Sequence, residues 1–193
     1  MPATLRSNLE APTGSNPKGA VADHLARVGD LVERLSVDAI ESVVEIVGLA
    51  HAAKRAVYTL GNGGSAATAM HLANDLARIG VAGQCLGANV STISALANDH
   101  GYAEVFASQL RTLARPGDVV IAISVSGNSP NCIRALEEAG KCGAIKVSLL
   151  GFDGGAMASM CDRVVLAASD DYKSVEDAHL VVCHALTLAL KWL

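Results

Sequence analysis

The chain has 193 residues, enough for one α/β domain with a sizeable core and too few for two ordinary ones. Apolar residues make up 51% of it and aromatics only 3%, so Ala, Val, Leu and Ile must fill the core, a composition suited to helices packed closely on a parallel sheet. A net charge of -4 and an isoelectric point near 5.8 supply no general basic stripe for a nucleic acid, and no stretch reaches the roughly 18 uninterrupted uncharged apolar residues of a membrane span.

In chain order, residues 1 to 19 are rich in Pro, Gly, Ser and Asn without a hydrophobic period, which predicts a flexible tail ahead of a single domain over 20 to 193. The opening residues lack the apolar core of a signal peptide. From Ala20 to about Arg55, Val21, Leu25, Val28, Leu31, Val32 and Leu35, then Ile40, Val43, Val44, Ile46, Val47 and Leu49, recur at helical spacing and predict two helices, with Ser36 and Asp38 supplying a cap between them. Short β-branched runs then alternate with helical stretches. AVYTLG (56 to 61) precedes a helix entered at GGSAATAMHLANDLAR. QCLGA (84 to 88) follows, then DVVIAIS (118 to 124) before the helix at NCIRALEEAGKCG, then IKVSLLG (145 to 151). RVVLAA (163 to 168) precedes a last helix from about Ser174 to Trp192. Five strands separated by helices predict a five-stranded parallel doubly wound sheet, an α/β fold flanked by helices. Ligands in such sheets bind at the carboxyl ends of the strands, so chemistry is expected in the loops after Leu60, Ser124 and Leu150.

Two of those loops have the composition of an anion cradle. Gly61-Asn62-Gly63-Gly64-Ser65 is a strand-to-helix turn whose glycines permit positive φ and close backbone approach, with the free amides of the next helix facing a ligand. Ser124 to Ser129, SVSGNS, places three hydroxyls and a Gly-Asn turn at the start of another helix. Either loop alone could be a turn or a helix cap, but at equivalent ends of two strands they predict phosphate binding. Neither matches the nucleotide-binding G-x-x-x-x-G-K-[ST] or G-x-G-x-x-G patterns.

A second constellation consists of His71 and Asp75, four residues apart and so on one face of the helix leaving the first loop, and of Glu176, His179 and His184 on the apolar last helix. Carboxylates and imidazoles on apolar faces are costly unless paired or bound to metal. A lone histidine there would be a core residue; several with two carboxylates point to a site. Glu176 and His184 are about 12 Å apart along a straight helix, so sharing one ion needs a bent helix or a neighbouring subunit. Cys85, Cys132, Cys142, Cys161 and Cys183 are odd in number without a C-x-x-C pair, which predicts reduced thiols and a cytoplasmic protein.

At GNGGSAATAMHLANDLA, NDHGY, ISVSGNSPN and EDAHLVVCH the sequence resembles the phosphoheptose isomerases (sedoheptulose 7-phosphate isomerases) of the sugar-isomerase (SIS) domain superfamily, from about Val21 to the C-terminus. The resemblance implies substrate contacts at Asn62, Gly63, Gly64, Ser65, Asn98, Asp99, Ser124, Val125, Ser126, Ser129 and Glu176. It implies a zinc or other divalent ion held by His71, Asp75, Glu176 and His184, with Asp75 and His184 as the acid/base pair of an aldose-ketose isomerisation through a cis-enediol. It also implies a homotetramer, for which the apolar N-terminal and last helices are suitable surfaces; the acidic balance and the lack of an apolar span predict neither nucleic acid nor membrane as partner. Two positions depart from the family pattern. Asp75 stands where Glu is usual, shortening a base by roughly 1 to 1.5 Å when proton transfer needs contact near 2.6 to 3.2 Å; Glu176 stands where Gln is frequent, adding charge that favours a cation. The competing expectations are a non-catalytic sugar-phosphate binder or replication regulator, which would lack the metal-type residues, and an isomerase or etherase acting on another sugar phosphate.

Overall fold

A β-branched strand buried on both faces reads as a continuous apolar run, and in the computed structural model, which describes residues 16 to 192, three such runs form the middle of one sheet. The strands are β1 (Val57–Gly61), β2 (Gly83–Cys85), β3 (Val119–Ser124), β4 (Ile145–Gly151) and β5 (Arg163–Ala167). All pair in parallel, in the order β2-β1-β3-β4-β5. The strand order reverses between β1 and β3, and their carboxyl ends carry the two Gly- and Ser-rich loops, where an open α/β sheet forms its ligand crevice.

Among the described residues seven helices flank the sheet: α1 (Pro17–Glu33), α2 (Val37–Ala52), α3 (Gly64–Arg78), α4 (Val90–His100), α5 (Ala107–Leu113), α6 (Pro130–Lys141) and α7 (Tyr172–Ala189). Alternate strand residues serve opposite faces. Val57, Val119, Ile121, Ile123, Val147 and Leu149 pack with α2, α3 and α7. Tyr58, Leu60, Val120, Ala122 and Leu150 pack with α5 and α6. Ile121 is fully buried on the central strand, and its truncation to Ala would cost about 2–5 kcal/mol.

The tail expected over 1 to 19 lies outside the described residues as far as residue 15. Pro17 to Gly19 are the first turn of α1, because Asn16 caps it by accepting from the Gly19 amide and Pro17 already carries a helical φ. Ser36 caps α2 as its sequence predicts. Between residues 89 and 117, where the β-alternation gives no clear signal, the chain forms α4, a 3₁₀ turn (Tyr102–Glu104) and α5. None of α4 is fully buried; Ile93, Leu96 and Ala97 pack only partly on the sheet.

Candidate active site

The amides at helix N-termini need partners, and α1, α2, α4 and α7 obtain one from the side chains of Asn16, Ser36, Asn89 and Asp171. The helices that leave the two anion-cradle loops do not: α3 starts at Gly63 and α6 at Ser129 with no side-chain cap. Both open onto one cleft, of about 150 Å³, lined by Asn62, Ser65, Ser124, Val125, Ser126, Ser129, Tyr172 and Glu176. Uncapped amides and clustered hydroxyls facing a cleft have the donors that an anion requires, which makes this cleft the candidate anion site. Gly63 reaches the turn with φ 55°, outside the usual range of other residues.

The second loop is braced from beneath. Ser124 Oγ accepts from the Gly127 amide at 3.2 Å and lies 3.4 Å from Ser129 Oγ. Asn128 donates to the Ser126 carbonyl, and its own side-chain oxygen accepts from the Ala156 amide at 2.9 Å. Gly127, at φ 61°, packs so closely on Gly154 that a side chain there would collide with the Gly154 carbonyl. The loop after β4 is thus a buttress for the serine loop, and its residues do not line the cleft.

About two turns along α3, His71 and Asp75 meet His184 from α7. His71 Nε2 lies 2.9 Å from His184 Nε2 and 3.2 Å from Asp75 Oδ2. The His71 side chain is 45% exposed and that of Asp75 22%, so the cluster opens to the surface. These three residues are the group, among those described, whose ligand atoms converge within 4.8 Å. Two ligands each about 2.0–2.1 Å from a tetrahedral ion sit roughly 3.3 Å apart, so two imidazoles and a carboxylate at these separations suit zinc.

Glu176 does not join that cluster. Helix α7 runs unbroken from Tyr172 to Ala189, which leaves Glu176 about two turns from His184. Its carboxyl instead lies over Gly64, filling the space a Cβ would need, and desolvation followed by the neighbouring Asp177 pushes its pKa up. Asn98 and Asp99 stand exposed at the end of α4, with Asn98 Nδ2 donating to Asp99 Oδ1 at 2.8 Å, outside the residues lining the cleft. His179 points inward and is 1% exposed. Neither ring nitrogen has a hydrogen-bond partner. Burial pushes its pKa down to about 4; the Leu150 backbone lies near enough to oppose that shift but not at hydrogen-bond geometry.

A family model for the SIS domain matches residues 22–151. The chain is 36% identical over 170 residues to a phosphoheptose isomerase of Trichlorobacter lovleyi, covering 85% of this chain and 86% of the relative. It is 38% identical over 174 residues to that of Rhodospirillum rubrum, covering 86% and 88%. The chain belongs to the phosphoheptose isomerase family of SIS domains. Its fold superimposes on the phosphoheptose isomerase of Neisseria gonorrhoeae with a TM-score of 0.87 at 31% identity, over 92% of this chain and all of that one.

Three residues at or beside the site are not among those predicted from the sequence, although Asn131 ends ISVSGNSPN and Tyr102 ends NDHGY. Asn131 is a polar residue 2% exposed in the first turn of α6, Tyr102 lies in NDHGY, and Tyr172 opens α7 beside the cleft. Asn131 was detectable as a polar side chain in the first turn of an amphipathic helix, on the face it shares with Cys132, Ala135 and Leu136; an isolated tyrosine carries no such mark.

Proposed function

We propose that the protein interconverts sedoheptulose 7-phosphate and D-glycero-D-manno-heptose 7-phosphate. The observation that carries this is an anion cradle between the N-termini of α3 and α6, flanked by Tyr172 and Glu176 of α7, with a His-Asp-His cluster further along α3 and α7. The phosphate is held by Ser65, Ser124, Ser126 and Ser129 with the Gly63–Gly64 and Val125 backbone, which leaves the carbonyl end of an extended sugar directed toward the cluster. Asp75 takes the proton from C1 of the ketose and returns it to C2. His184 protonates O2 and then removes the proton from O1, so the enediol collapses to the aldose with no net gain of protons. His71, Asp75 and His184 would hold a divalent ion such as zinc, which when bound would supply Lewis-acid polarisation of the carbonyl. Glu176, above Gly64, accepts hydrogen bonds from sugar hydroxyls, and Asn98 and Asp99 contact the substrate from α4.

We assign the working form to a homotetramer. The cluster is open to the surface, and Val21 and Leu25 of α1 and Val181 and Leu188 of α7 are exposed apolar side chains. All five cysteines are free, in keeping with a reducing cytoplasm; no helix among the described residues is long and apolar enough to cross a membrane. A purely regulatory sugar-phosphate binder has no use for a converging His-Asp-His set. Turnover of sedoheptulose 7-phosphate by the purified protein tests the reading.

A further inference from the structure

Asn62 opens the first cradle loop, yet its side chain is already occupied. Asn62 Nδ2 donates to Asn131 Oδ1 at 2.8 Å, and Asn131 Nδ2 donates back to Asn62 Oδ1 at 2.8 Å. Tyr102 Oη donates to the same Asn62 Oδ1 at 2.9 Å. The second hydrogen on Asn62 Nδ2 is directed at Cys132 Sγ, 3.9 Å away. The orientation of both amides is fixed from one end, because the Cys132 backbone N–H can only donate and reaches Asn131 Oδ1 at 3.0 Å. An amide oxygen has two lone pairs and an amide nitrogen two hydrogens. For Asn62 all four are taken, so its side chain has nothing left to offer a substrate unless this clasp breaks.

The three partners come from different elements. Asn131 is 2% exposed in the first turn of α6, whose N-terminus forms the second cradle loop; Tyr102 is 56% exposed in the 3₁₀ turn that follows α4. That turn is anchored to α5 and α6 through Glu104, which binds Arg111 at 2.5 Å and Arg134 at 3.0 Å. Helix α4 has no fully buried residue, so this anchored turn is the firm ground next to it. We infer that Asn131 and Tyr102 are positioning residues: acting through the Asn62 side chain, they clamp the two phosphate loops to each other and to the segment carrying Asn98 and Asp99.

The inference rests on the cleft between α3 and α6 being the phosphate site. Its test is therefore a binding measurement separate from turnover: titration calorimetry of the full-length protein with sedoheptulose 7-phosphate and with inorganic phosphate. Tyr102→Phe removes one hydroxyl from an exposed side chain, and Asn131→Ala removes the clasp from the buried side. Each weakens binding of the sugar phosphate by roughly three- to tenfold, the worth of a neutral hydrogen bond, and raises KM by the same factor with kcat within about twofold of the parent. In an Asn62→Ala background Tyr102→Phe has no further effect, because the group it acts through is gone. Thermal melts confirm that each variant is folded; Tyr102→Phe carries the test if Asn131→Ala is not. Unchanged binding in Tyr102→Phe, or an equal loss with and without Asn62, would overturn the clasp. Wild-type protein that binds neither ligand would remove the phosphate site and the clasp with it.

Discussion

The cradle lies between the N-termini of α3 and α6 and the His-Asp-His cluster between α3 and α7, and the two are made of different material. The cradle is largely backbone: uncapped helix amides, a glycine turn at φ 55°, and a serine loop seated on Gly154 and Ala156. The cluster is entirely side chain, three residues where α3 meets α7, with His71 half-exposed and Asp75 partly buried. In the proposed reaction binding is thus tied to the fold, so that damage to the cradle should appear in stability and KM, and chemistry is tied to a few atoms that should be changeable without touching the fold.

The sharpest break of that contrast is His184→Ala. It should lower kcat by about 100-fold or more, the range for losing a general acid/base group, with sugar-phosphate affinity and unfolding midpoint little altered. Retention of more than about a tenth of the activity would remove His184 from its role.

His179, five residues earlier on α7 but facing the core, ought to behave in the opposite way. Its pKa is about 4 in the fold against 6.5 ordinarily, so between those values the unfolded chain binds the proton more tightly and stability falls as pH is lowered. The loss approaches about 3 kcal/mol by pH 4, at 1.36 kcal/mol per pKa unit. Denaturant titrations from pH 7 to pH 4 should show the wild type losing stability relative to His179→Leu by that amount, while the two stay within about 1 kcal/mol of each other at pH 7. Parallel curves would contradict the buried neutral state.

Gly127→Ala addresses the cradle from beneath. Its positive φ and the nearby Gly154 carbonyl predict a stability loss of about 1–3 kcal/mol together with a raised KM. The smallest effect is expected from Ser124→Ala, which removes one hydroxyl and should raise KM several-fold, near the worth of one hydrogen bond, with kcat nearly kept. A fall in kcat alone would place Ser124 with the chemistry instead.

The difference in material also decided what could be read from the sequence. Strand and helix alternation, the five strands and both cradle loops are legible because each is a local pattern: Val119 to Ser124 is an apolar run, and GNGGS and SVSGNS are contiguous. The pairing of His71 with His184, 113 residues apart, needs the α3–α7 packing that periodicity alone does not give. Glu176 shows the limit in the other direction. Its chain spacing from His184 raised a geometric conflict, and the unbroken helix resolves it by leaving Glu176 over Gly64. Helices α4 and α5 lacked a signal because α4 buries no residue fully and α5 is only seven residues long.

The central claim is isomerisation of a heptose phosphate, and the most direct measurement is NMR observation of the purified protein incubated with sedoheptulose 7-phosphate, alone, with chelator, and with zinc restored. The account predicts appearance of the aldoheptose 7-phosphate, loss of turnover on chelation and recovery with zinc. Absence of turnover by zinc-supplemented protein that nonetheless binds the sugar phosphate would contradict it, and would make the cradle a binding site for a different purpose.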